Sequence, residues 1–107
     1  MAPGRAFTAQ TLRGTLQVTQ PPEVLLNGQA SRLAPGARIR GADNLLVLSS
    51  PVIGQKLLVH YTLDTLGNVH LVWVLTPEEA ARRPWPVTMD EAQRWQFNPA
   101  TQSWTRP

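Results

Sequence analysis

The chain has 107 residues, of which 42% are hydrophobic, and its ten basic and seven acidic residues give a formal net charge of +3. This length supports one domain with one modest core. The absence of cysteine excludes disulfides, thiolate metal sites and cysteine nucleophiles. No apolar run approaches the roughly 20 residues of a membrane helix, and so small a positive charge is no argument by itself for a polyanionic partner.

The first part of the chain predicts short strands separated by tight turns. Residues 1–10 combine proline, glycine and small residues without a period, which predicts a mobile N-terminal tail. Apolar and polar residues alternate over residues 12–18, as in a strand with one buried face. The Asn-Gly pair at 27–28 predicts a tight β-hairpin, because both turn positions need a positive φ. The Pro-Gly pair at 35–36 predicts a second tight turn.

Residues 54–75 predict the central β-hairpin of the fold. Two alternating apolar runs flank residues 64–67, where an aspartate opens a type I turn and a glycine takes the left-handed position that follows. The simplest register pairs Val59 with Trp73 and Tyr61 with Leu71, which places all four side chains on one face. We therefore expect these four residues at the centre of the core.

Two helix starts follow the hairpin. Thr76 precedes a proline and two glutamates, and Thr88 opens a capping box, so each threonine is expected to cap a short helix. Trp85 lies between two prolines in an extended segment, and an extended tail follows the second helix. Helices this short do not persist alone, so residues 76–107 are expected to pack on the strands of residues 11–75.

Five or six short strands with tight turns predict a mainly β fold. We expect a small antiparallel barrel of the OB-like or SH3-like kind, with two short C-terminal helices and an extended tail. The alternative is an open antiparallel sheet with the helices packed on one face. Residues 1–10 are then the N-terminal tail, and residues 11–107 form a single domain.

The sequence also resembles the small OB-like barrels of proteins of unknown function that Gram-negative bacteria export. The resemblance rests on RGTLQVTQPPEVLLNGQ, LAPGARIRG and GQKLLVHYTLDTLGNVHLVWVL, which are followed by TPEEA and a tryptophan-containing tail. It covers most of the chain. It implies export to the periplasm, and it implies no known activity and no functional residues.

The two histidines are the candidates for a metal site. His60 and His70 are expected on one face of the hairpin, diagonally across from each other, because Thr62 lies opposite His70. Zinc or copper needs a third and usually a fourth ligand, and the sequence has no motif that supplies them. No serine lies in a glycine-flanked nucleophile elbow, and helix capping explains the paired acids. We therefore expect no metal, no cofactor and no enzymatic activity.

Three arginines and one tryptophan are the remaining binding candidates. Arg38 and Arg40 share an outer strand face, and Arg32 is expected to neighbour them across the turn that precedes them. Single-stranded nucleic acid also requires exposed aromatic side chains, whereas the expected register turns both barrel aromatics toward the core. Trp85 either contacts a partner or straps the helices to the barrel, and a small domain gains core from any aromatic that it buries.

These features together predict a non-enzymatic interaction module that is exported to the periplasm. Its partner is expected to be a protein or a small molecule, and the module is expected to be a monomer. The alternative is an OB-type nucleic-acid-binding protein in the cytoplasm. A cleavable hydrophobic segment before Ala2 in the native gene would argue against that alternative.

Overall fold

The computed structural model describes residues 5–48 and 50–107. Within these residues the chain forms eight strands, two short helices and one 3-10 turn. The strands are β1 (Leu12–Gln20), β2 (Glu23–Leu26), β3 (Gln29–Arg40), β4 (Leu46–Val47), β5 (Lys56–Leu63), β6 (Val69–Val74), β7 (Gln96–Asn98) and β8 (Ser103–Thr105). The helices are α1 (Pro77–Ala80) and α2 (Met89–Arg94), and the 3-10 turn is Ser50–Val52.

Five of the strands close into a barrel, as the sequence predicts. The order around the barrel is β1-β2-β3-β6-β5, and β5 pairs back with β1. The open-sheet alternative is therefore wrong. The expectation of an antiparallel barrel holds for four of the five pairings, but β3 and β6 run parallel. β4 lies outside the barrel and extends the sheet beside the end of β3.

The Asn-Gly hairpin forms as predicted, whereas the Pro-Gly pair does not make a turn between two strands. Asn27 and Gly28 both have positive φ, at 54° and 79°, and they join β2 to β3. β3 then runs without interruption through Pro35 and Gly36. Its pairing with β6 shifts register between Leu33 and Arg38, and Gly36 has a φ of 79°. The pair thus lies at an irregularity within one long strand. Proline, which has no backbone N–H to donate, and glycine are both common at such irregularities.

The hairpin of β5 and β6 has the predicted turn but a different register. Its turn closes as expected, because Asp64 N–H donates to Asn68 O at 2.8 Å and Leu63 pairs with Val69. The register then shifts before Tyr61, which pairs with Val72 and not with Leu71. A β-bulge of this kind inserts one extra residue on one strand.

The bulge corrects the expected core. Val59 and Tyr61 are buried inside the barrel as predicted, but their neighbours on β6 are Val74 and Val72. Leu71 and Trp73 lie on the outer face, so the prediction that they are central barrel residues is wrong. The physical reason is the single-residue shift, because successive side chains of a strand point to opposite faces.

A second, aromatic core lies between the outer face of the barrel and residues 76–107. Its buried members are Phe7, Trp85 and Trp104, and Trp73 packs against them. The rings of Phe7 and Trp73 meet edge-on with centroids 5.3 Å apart. Phe7 is only 5% exposed, so residues 5–10 are not the mobile tail that the sequence predicts. Residues 1–4 lie outside the described residues.

Both helix starts form as the sequence predicts. The hydroxyl of Thr76 accepts a hydrogen bond from Glu79 N–H, and the hydroxyl of Thr88 accepts one from Glu91 N–H. Neither helix has the length or the apolar character that crossing a bilayer would require. The tail after α2 folds into the β7–β8 hairpin, which brings the rings of Phe97 and Trp104 within 4.8 Å.

Candidate binding face

Two of the candidate arginines line a groove on the outside of the barrel. Arg38 and Arg40 pair with Leu71 and Trp73 across the parallel β3–β6 contact. These four residues and Val72 line a groove of about 200 Å³, called here the β3–β6 groove. The sequence pattern predicts Trp73 in the barrel core, but the bulge in β6 places its indole outside, beside Arg40.

Exposed leucines continue this surface on the other side of β3. Leu46 pairs with Arg40 and is 60% exposed, and Leu48, two residues further along the chain, is 78% exposed. Cross-strand partners lie on the same face of a sheet. Leu46, Arg40 and Trp73 therefore form one continuous row across β4, β3 and β6. We call the outer surface of these three strands the β4–β3–β6 face.

The outer edge of β4 has unpaired backbone groups. Gly41 N–H donates to Leu45 O at 2.8 Å, which makes these two residues a hydrogen-bonded pair. In an antiparallel ladder such pairs alternate with pairs whose backbone groups point away from each other. The amide and carbonyl of Leu46 therefore point away from β3. β4 is the last strand on its side of the sheet, so nothing in the described part of the chain pairs with that edge.

Arg38 and Arg40 have no carboxylate partner within 4.0 Å among the described residues. Arg40 Nη1 donates to the carbonyl of Asn44 at 3.0 Å, a contact that leaves its charge uncompensated. Arg32 differs, because its Nη2 lies 3.2 Å from Glu23 Oε1 at the opposite end of β3. The structure thus brings Arg38 and Arg40 together and separates Arg32 from them.

His60 lies in the aromatic core and is 1% exposed. Its ring stacks on Trp85 with centroids 4.2 Å apart, and its Nε2 accepts a hydrogen bond of 3.2 Å from Arg13 Nε. The proton of the neutral ring is therefore on Nδ1, which has no hydrogen-bond partner in the described part of the chain. Burial, followed by the positive charge of Arg13, lowers the pKa of His60 to about 3.

A second buried polar contact joins the N-terminal segment to α1. Arg5 Nε and Nη2 both donate to the carboxylate of Glu79, and Arg5 also donates to the carbonyls of Gly41 and Val74. Burial raises the pKa of Glu79, but hydrogen bonds from Arg5 and Thr76 outweigh it and hold that pKa below its ordinary value. This network fixes α1 and the N-terminal segment against the barrel.

The two histidines do not occupy equivalent positions. His60 pairs with Trp73 across the hairpin and is buried, whereas His70 is exposed beyond the bulge. The diagonal arrangement predicted from the simple register is therefore wrong. No group of three or more histidine, aspartate and glutamate residues that could hold a metal occurs in residues 5–48 and 50–107.

Trp85 is placed as a strap between the barrel and the helices. Its indole is 4% exposed, and its Nε1–H donates to the carbonyl of Thr11 at 2.9 Å. The neighbouring carbonyl of Pro86 accepts a hydrogen bond of 2.9 Å from the Arg13 amide. In this position the indole has almost no exposed surface to offer a partner.

Two of the larger concavities in the described part of the chain have fewer features of a binding site than the β3–β6 groove. One, of about 510 Å³, is an open depression lined by Arg83, Arg106 and Trp104, but the indole of Trp104 is only 5% exposed. The other, of about 430 Å³, lies on β1 and β2 and includes Gln17 and Lys56 but no aromatic side chain. Of these three concavities, the β3–β6 groove is the one in which a half-buried indole and two arginines adjoin exposed leucines and the free edge of β4.

In comparisons with known proteins, no family model, no curated protein and no solved structure matches the chain. Function is therefore argued from the geometry of this chain alone.

Proposed function

We propose that the protein is a non-enzymatic interaction module and that the β4–β3–β6 face is its docking surface. The observation that carries this proposal is the row formed by Leu46, Arg40 and Trp73, next to an unpaired strand edge. The leucine side chains of this face are exposed, and its arginines have no carboxylate partner among the described residues. A ligand can therefore contact both the apolar and the charged groups.

The composition of the face is typical of protein-binding surfaces. Tryptophan and arginine contribute most to the binding energy of protein interfaces, and contiguous exposed apolar groups on a small domain mark interaction sites. The buried polar groups of the chain serve a different purpose. Arg13 and His60 bond to each other, and Arg5 holds Glu79, so both pairs stabilise the fold and are not offered to a substrate.

The alternative function is that of an OB-type nucleic-acid-binding protein in the cytoplasm. Closure of a five-stranded barrel supports an OB-like classification, and Trp73 beside Arg40 is the observation that favours this alternative. Single-stranded nucleic acid is bound by several exposed aromatic rings along a basic channel. The face has one such ring, and that ring is partly covered by Phe7. A protein partner therefore fits the face better.

The location of the protein and its oligomeric state belong to the same proposal. Export to the periplasm rests on the sequence resemblance, and fractionation of cells that express the complete native gene tests it. We propose a monomer, because a second copy would bring the same two arginines, and no carboxylate of the described residues lies within 4.0 Å of either of them.

Site-specific photo-crosslinking tests the proposed docking surface. A photoreactive residue replaces Leu46 in one variant and exposed Thr15 in the control, because β1 neighbours neither β3 nor β6. We expect defined adducts with a protein in intact cells from position 46 and not from position 15. No adduct from position 46, or the same adducts from both positions, would refute the docking surface.

A further inference from the structure

We propose that the β4–β3–β6 face binds an extended, acidic segment of a partner protein that adds a strand to the free edge of β4. This inference rests on the proposed function and specifies the chemistry of the partner. Addition of a strand to an exposed sheet edge is a recurrent mode of peptide recognition, in which main-chain hydrogen bonds provide affinity and side chains provide specificity.

The backbone of β4 is suited to this pairing. The amide and carbonyl of Leu46 point outward, because the flanking Gly41–Leu45 pair uses the inward positions. β4 has only two residues, so its own pairing with β3 is short. A partner strand would supply hydrogen bonds that the described part of the chain does not make.

The side chains explain why the segment should be acidic. A strand added beside β4 lies two strand spacings from β3, which is about 9.5 Å. A glutamate on the outer face of the added strand and an arginine on β3 are both long enough for their charged groups to meet above the side chain of Leu46. Arg38 and Arg40 have no carboxylate partner within 4.0 Å in residues 5–48 and 50–107, and charge-assisted hydrogen bonds to carboxylates are among the stronger contacts of an interface.

The alternation of the strand determines the rest of the partner segment. Residues between the glutamates point to the opposite face, where Leu45 is exposed and Val47 is half-buried. Apolar residues fit at those positions. The partner segment is therefore a strand in which glutamate alternates with an aliphatic residue.

A second copy of the chain fits this edge less well. Its β4 would bring a second Leu46 and a second Arg40 onto the same face. Asp43 is the nearest acid in sequence, and its carboxylate already accepts a hydrogen bond from Leu45 N–H. The charge of the face therefore selects an acidic partner over self-association.

The test uses a synthetic peptide of about eight residues, a common strand length, in which glutamate alternates with valine. We expect it to shift the amide resonances of β3, β4 and β6 in NMR spectra of the full chain. A peptide with lysine in place of glutamate tests the charge, and a peptide N-methylated along one edge tests the main-chain pairing. We expect binding to be abolished in both. Equal binding by either of them would overturn the proposal.

Variants of the protein test the same contacts from the other side. We expect the double variant Arg38→Ala, Arg40→Ala to bind the glutamate peptide at least tenfold more weakly. Arg32→Ala removes the same type of charge at the Glu23 ion pair, and it should change the affinity less than twofold. Leu46→Pro removes the outward amide, where proline is tolerated on an edge strand, and should abolish binding while the thermal melt stays cooperative.

Two results separate this inference from the proposed function. If position 46 crosslinks to a partner protein in cells but the glutamate peptide does not bind, the interaction module stands and the acidic strand is wrong. If a poly-thymine oligonucleotide binds the face more tightly than the peptide, and Arg38→Ala with Arg40→Ala abolishes that binding, the nucleic-acid alternative replaces both.

Discussion

His60 makes the stability of the fold depend on pH. Its ring is buried between Phe7 and Trp85, and Arg13 donates a hydrogen bond to it, so the neutral form is the one that the folded chain accommodates. Burial is the main reason that its pKa falls from an ordinary 6.5 to about 3, and the charge of Arg13 adds to it. The pKa of this histidine is lower in the folded chain than in the unfolded chain. Its contribution to the stability of the fold is therefore fully present when the pH is above the unfolded pKa. That stability is lost as the pH falls from about 6.5 toward about 3.

The size of the effect follows from the shift. Each pH unit below the unfolded pKa costs about 1.4 kcal/mol of stability, for as long as the folded ring stays neutral. Between pH 7 and pH 5 the unfolded chain takes up roughly three-quarters of a proton at this histidine, while the folded ring stays neutral. The free energy of unfolding should therefore fall by about 2 kcal/mol over that interval.

The assay is denaturant unfolding of the full chain, monitored by tryptophan fluorescence at pH 7, 6 and 5. His60→Gln replaces the titrating ring by a neutral polar side chain, and it should remove most of the slope whatever it costs in absolute stability. His70→Gln is the matched control, because His70 is exposed, and it should keep the slope. A slope that persists in His60→Gln, or that disappears in His70→Gln, would refute the reasoning.

Two further predictions concern the cores. A chain that ends at Leu75 loses Trp85 and Trp104, so it should be insoluble or should melt far below the full chain; equal melting would show that residues 76–107 are an independent appendage. Val72→Ala removes two buried methyl groups from the barrel and should lower the free energy of unfolding by about 2 kcal/mol in denaturant experiments. Leu66→Ala at the exposed turn is the control and should lower it by less than about 0.5 kcal/mol. Similar losses in the two variants would contradict the observed register.

Local signals in the sequence were sufficient for two of the turns and for both helix starts. The Asn-Gly turn, the turn at residues 64–67 and the two threonine caps each depend on a few adjacent residues, and all four form. The parallel pairing of β3 with β6 depends on contacts that are distant in sequence, which turn chemistry does not encode. Phe7 is a single aromatic residue in a segment without a period, so nothing in the sequence pattern predicted its burial.

The candidate face could not be predicted for a related reason. β6 is apolar at Leu71, Val72, Trp73 and Val74, so its pattern fits either register, and the turn determines only the Leu63–Val69 pair. Volume gives a reason for the observed choice. The interior of a five-stranded barrel is narrow, and valine fits there with less crowding than an indole. The bulge that turns Val72 inward necessarily turns Trp73 outward, where it joins the aromatic core and borders the β3–β6 groove. The position of the proposed binding face is thus a consequence of how the barrel packs.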